Sequence, residues 1–134
     1  MLELKNDDFL GYVNTLRHAC RGILVKDGKV LLGYESNNNK YIIPGGGVEI
    51  YLDISELFLD WNHINHYFVC ELVEETGKLH LTEAEAKAGC VCVWKSLEEA
   101  LEIFGRYEDF HKTNIADYGL YRREYFALKE YCDK

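Results

Sequence analysis

The chain is 134 residues long and 48% hydrophobic, which suits a single domain, residues 1–134, around one core. A formal charge of −8 and a pI near 5.1, with no lysine or arginine run against them, argue against long nucleic acid as a partner; small anions bridged by metal ions remain compatible. No apolar run is long enough to span a membrane, and residues 1–8 lack the basic region and apolar core of a signal peptide, so no membrane association and a cytoplasmic location are expected.

Residues before Leu10 are polar and read as a short lead-in. Residues 15–25 read as a long strand, with Gly22 suggesting a bulge. Asp27-Gly28 then turns the chain into Val30-Leu31-Leu32-Gly33-Tyr34, a hairpin, because this pair tolerates the positive φ that tight turns demand. Arg17 and Arg21 fall on one side of the first strand, placed either to grip phosphates or to pair with acids. An Asn-rich loop at 36–40 precedes Tyr41-Ile42-Ile43. Tyr34 and Tyr41 flank it, as packing residues or as stacking faces for a base or ribose.

Pro44-Gly45-Gly46-Gly47-Val48-Glu49 follows, with the only proline and the only triple glycine of the chain. Proline fixes one backbone angle, and glycines let the backbone turn tightly and approach a ligand without a Cβ in the way. With a carboxylate adjoining, the combination suits phosphate and divalent-metal chemistry, although glycine runs taken alone are more often plain loops. Together with the preceding hairpin, the stretch resembles the opening of a Nudix hydrolase domain. That resemblance implies an α/β fold, a Nudix-like α/β/α sandwich with a curved mixed sheet. It also implies an enzyme that uses Mg²⁺, or Mn²⁺, to activate water against the phosphoanhydride of a nucleoside diphosphate linked to another moiety. By the same resemblance the Gly45 carbonyl and Glu49 are metal ligands, Glu49 is the surviving catalytic acid, and Glu85 (with Glu83 beside it) supplies a further ligand. Arg21, Tyr34 and Tyr41 become substrate contacts.

The Nudix signature continues with a glutamate and then a helix bearing an Arg-Glu pair and paired glutamates. Counted from Gly46, those positions hold Leu52, Asp60 with Trp61, and Ile64 with Asn65. Glu71-Leu72-Val73-Glu74-Glu75-Thr76-Gly77 copies the end of the signature, yet counting back from Gly77 places Cys70, Asn62 and Glu56 where its arginine, isolated glutamate and first glycine belong. The run from His66 to Val73 is aromatic and β-branched and reads as a strand, with the helical spacing of Ile64, Phe68 and Leu72 as the alternative. The resemblance therefore implies that a segment carrying the signature helix is absent between Glu49 and about Tyr51. That favours a second reading, a catalytically inactive Nudix-fold module for nucleotide binding or regulation. A third is an interaction protein whose aromatic surface forms a homodimer.

Asp60, His63 and His66 would line up three metal donors on a helix; on a strand that geometry dissolves. Cys20, Cys70, Cys90, Cys92 and Cys132, odd in number and without a Cys-x-x-Cys pair, read as reduced, mostly buried thiols, Cys90 and Cys92 as core. Residues 91–94 form a strand. Ser96 and Glu99 then make a capping box for a helix that buries Leu97, Leu101 and Phe104 and is ended by Gly105. A last helix over 117–132 buries Tyr121, Tyr125, Leu128 and Cys132.

Overall fold

Short apolar stretches separated by Asp, Asn and Gly turns form the strands of the chain. The computed structural model describes residues 1–44, 49–70 and 89–133, with the backbone alone at 49–51. Among these residues the strands are β1 (Leu2–Lys5), β2 (Thr15–Lys26), β3 (Lys29–Glu35), β4 (Lys40–Ile42), β5 (Glu49–Phe58), β6 (Trp61–Cys70) and β7 (Cys90–Ser96). Helix α1 (Leu97–Gly105), a 3₁₀ turn (Arg106–Phe110) and helix α2 (Ile115–Cys132) follow. The sheet is mixed, ordered β1-β5-β6-β2-β3-β4, and β7 also pairs with β3. β1 with β5 and β2 with β6 are parallel; the other pairs are antiparallel.

The β2–β3 turn is the one its residues demand: Asp27 and Gly28 take φ of 54° and 76°. Only Val25 with Val30 and Lys26 with Lys29 pair there before β3 departs to β4 and β7. Gly22 makes no bulge against β6, because the parallel ladder runs without a register shift from Thr15–Trp61 to Leu24–Cys70. The polar lead-in proves instead to contain β1, whose Leu4 is buried and whose backbone pairs with residues 54–57 of β5. A four-residue strand pairing so far along the chain leaves no local signature.

β5 runs continuously, with a register shift between Ile50 and Leu52, at the place where the family resemblance implies an absent segment. A two-residue turn, Leu59-Asp60, joins it to β6, with Leu59 at φ 49°. Because residues 61–70 form a strand, Asp60, His63 and His66 do not share a helix face. Alternation sends His63 toward the helices and His66 to the other side, where its Nδ1 lies 2.8 Å from Asp53 and its Nε2 2.9 Å from His18. The strand reading of residues 66–70 holds; Glu71, Glu74, Glu75 and Gly77 lie outside the described residues.

Ile23, Val30, Leu32, Ile54 and Tyr67 of the sheet close one core with Phe104 of α1 and Leu128 of α2. Ser96 caps α1 by accepting the Glu99 N–H at 3.1 Å, while its hydroxyl donates to the Glu99 carboxylate at 3.4 Å. Ser96→Ala is expected to cost about 1 kcal/mol in thermal or urea unfolding. Gly105 ends α1, but with a right-handed φ of −62°, so the stop comes from the 3₁₀ turn and not from a left-handed glycine. α2 begins two residues earlier than its apolar pattern suggests, since Asn114 accepts the Asp117 N–H at 3.2 Å. Tyr121 and Leu128 are buried in it as expected. Tyr125 is half-buried and Cys132, at the fraying end, is exposed.

The expected burial of the cysteines fails more widely. Cys20 and Cys92 are exposed, Cys70 and Cys90 are half-buried, and no disulfide forms among the five. Cys20 lies on the sheet face away from both described helices, and Cys92 on a strand that pairs only with β3 among the described residues. No described helix is long and apolar enough to cross a membrane.

Candidate functional site

The chain entering the glycine run is held by three hydrogen bonds, from α2 and β2. Ile43 is fully buried, and its N–H donates to Glu124 of α2 at 2.6 Å. The Pro44 carbonyl accepts the Gly22 N–H of β2 at 2.7 Å. Arg21 reaches across from the same strand, donating through Nη1 to the Ile43 carbonyl at 3.4 Å. The Arg21 Nε is buried and has no hydrogen-bond partner among the described residues. Glu49 opens β5 opposite Val69; its side chain, with Gly45, Glu83 and Glu85, lies outside the described residues.

Tyr34 and Tyr41 are brought together as a cross-strand pair of β3 and β4, rings 4.6 Å apart at 38°. The Tyr34 hydroxyl donates to Asn39 at 2.8 Å, and the Tyr41 N–H donates to the Tyr121 hydroxyl at 3.0 Å. Tyr41 also lines an open cavity of about 570 Å³ with Lys95 and Tyr121, and the Lys95 ammonium stands 6.0 Å from its ring centre. Arg21 is not among the residues lining that cavity.

Beneath the corner lies a buried ionic cluster that the sequence pattern does not announce. Arg123, 4% exposed, donates through Nε to Glu124 at 2.9 Å and through Nη1 to Glu56 at 3.0 Å. Glu124, fully buried, also accepts from the Tyr67 hydroxyl, and Asn65 donates to Glu56 at 3.1 Å. Burial pushes the Glu56 carboxyl up, against the downward pull of Arg123. The Tyr67 phenol is likewise raised, by burial and then by the neighbouring Glu124 charge. His63 stands on the same face, its Nδ1 3.8 Å from Glu56. Its pKa is lowered to about 4, first by burial and then by the charges of Arg123, Arg17 and Arg21, so its ring is neutral at pH 7.

One signal for this cluster was present in the sequence: Glu124 follows Tyr121 by three and precedes Leu128 by four, so the buried stripe of α2 passes through it. Glu56, Tyr67 and Arg123 had no comparable marker. Shifted carboxyl, phenol and imidazole groups beside a cleft mark a functional-site candidate, although structural ion-pair networks shift such groups too.

No trio of His, Cys, Asp or Glu side chains among the described residues is arranged to hold a metal ion. The described side chains thus do not by themselves fit Mg²⁺ or Mn²⁺. No protein-family model matches the chain, and no curated protein matches it.

Proposed function

We propose that the chain binds a small nucleoside diphosphate derivative at the glycine corner, as a nucleotide-binding module on a Nudix-like scaffold. The observation that carries this reading is the setting of Arg21: a guanidinium that donates through Nη1 to the Ile43 carbonyl, beside an Ile43–Pro44 segment itself pinned by Gly22 and Glu124. A fixed cation at a pinned backbone suits a phosphate, because little side-chain freedom remains to be lost on binding. The Tyr34–Tyr41 pair and the cavity beside Tyr41 provide aromatic faces for a base or ribose.

Calorimetric titration of ADP-ribose and UDP-glucose, with and without Mg²⁺, tests this. Arg21→Ala is expected to weaken binding about tenfold or more, the worth of a charge-assisted hydrogen bond. Absence of binding by either compound in both conditions would overturn the reading.

Hydrolysis is the second reading, favoured by Glu49 following the glycines at the start of β5. It requires carboxylates from beyond the described side chains. Mg²⁺-dependent release of nucleoside monophosphate from the same compounds would establish it, and binding without release would leave the module reading standing alone.

A further inference from the structure

β1 ends the sheet: β5 pairs with one of its flanks, and among the described residues no strand pairs with the other. Asn6 donates its N–H to the Leu57 carbonyl at 2.8 Å. By the alternation of a strand, the N–H and C=O groups of Leu2 and Leu4 also turn toward β5, and those of Glu3 and Lys5 turn away from the sheet. Two donors and two acceptors are thus presented along this edge, the arrangement that templates pairing with another strand. Leu4 is buried in the core, so Glu3 and Lys5, both exposed, lie on the opposite face of the sheet.

We infer that the outer edge of β1 is an interface with a second copy of the chain, the two strands antiparallel about a two-fold axis through Leu4, with Glu3 of each copy facing Lys5 of the other. Register commits the edge to this occupant. An antiparallel copy must set its own outward-turned residues opposite Glu3 and Lys5, which leaves Glu3 on Glu3, Lys5 on Lys5, or Glu3 on Lys5. The first two place like charges about 5.5 Å apart across the ladder, which is unfavourable. The third pairs opposite charges on both sides of the axis and closes four N–H···O bonds between the copies. Between those pairs the two Leu4 residues meet on the core side of the sheet, with Cα atoms about 4.5 Å apart. A two-fold interface requires a self-complementary surface, and Glu3-Leu4-Lys5 is one: reversal of the strand exchanges its charges. The contact is short, so a weak dimer is expected, with a dissociation constant on the order of 100 µM.

Sedimentation velocity of the full chain between about 10 µM and 1 mM tests this, and should show a monomer passing into a dimer. Lys5→Glu alone, or Glu3→Lys alone, turns both facing pairs into like charges and should weaken the dimer about tenfold or more. The two substitutions in one chain should restore it. A mixture of the two single variants should also form heterodimers that neither forms by itself, which separates a lost contact from a lost fold. Both side chains are exposed, so little effect on folding is expected. Independently of any variant, the Glu3 and Lys5 amides should exchange with solvent more slowly at the high concentration than at the low one. Four results would each overturn the inference: a chain still monomeric at the highest concentration, a dimer indifferent to Lys5→Glu, folded single variants that do not associate when mixed, or amide exchange independent of concentration. Indifference to Lys5→Glu would move the contact to another surface, such as the exposed Leu10, Tyr12 and Val13 ahead of β2.

Discussion

Arg123→Met is expected to destabilise the domain by about 3–5 kcal/mol at pH 8, because it leaves two buried carboxylates facing each other without their shared guanidinium. Glu56 is 3% exposed and Glu124 is fully buried, so neither can recover the lost pairing from water. With total stabilities of roughly 5–15 kcal/mol for domains of this kind, such a loss brings the variant close to unfolding. It should be smaller at pH 5, since protonation can then relieve the unpaired acids, and Glu56 is already displaced in that direction. Urea unfolding at the two pH values checks both statements. A variant within about 1 kcal/mol of the parent at pH 8 would show that the cluster is not held as described. Replacing Glu56 and Arg123 by apolar residues of similar volume and Glu124 by Gln, which keeps an acceptor for the Ile43 N–H, should recover part of the loss, because the desolvation penalty then disappears with the charges.

The second large effect is a fall in stability as pH drops from 7 to 4, assigned to His63. Its folded pKa of about 4 lies below the ordinary 6.5, so between these values the unfolded chain binds the extra proton. The contribution is therefore complete above pH 6.5 and lost as pH falls toward 4, amounting to roughly 2–3 kcal/mol. Glu56 works the other way: its raised folded pKa favours the native state below pH 4.5, and that share fades as pH rises. The difference between parent and His63→Gln isolates the histidine, and should shrink by that 2–3 kcal/mol between pH 7 and 4. Burial sets most of the shift, and Arg123 on α2, Arg17 and Arg21 on β2 and, in the opposite sense, Glu124 on α2 adjust it, so an NMR titration of His63 reads their balance directly. An ordinary midpoint near 6.5 would refute the burial that underlies it.

The parts of the fold legible in the sequence are those fixed locally. Asp27-Gly28 specifies its turn through backbone angles that few other pairs adopt, and Ser96 specifies the start of α1 through a hydrogen bond three residues long. What escaped depends on distant partners. Leu2–Lys5 becomes a strand because residues 54–57 lie beside it, and Arg123 is buried because Glu56 arrives from another element. An arginine on a helix ordinarily faces water, and the apolar period of α2 gives no reason to think otherwise. The candidate site divides similarly. Tyr34 and Tyr41 meet as their places around a short loop suggest, and Arg21 reaches the corner that the sequence singles out. His63 belongs to a different arrangement from the metal row it suggested, because a strand's alternation separates it from His66.

The parallel ladder from Thr15–Trp61 to Leu24–Cys70 bears on how the protein is made. During synthesis β2 and β3 can close their turn at once, but one flank of β2 stays bare until the ribosome has released residues as late as Cys70. A nascent chain stalled before that point displays a long unsatisfied backbone edge, open to a neighbouring copy on the same message. Production yield should therefore be more sensitive to translation rate and to available chaperones than the modest size of the domain suggests.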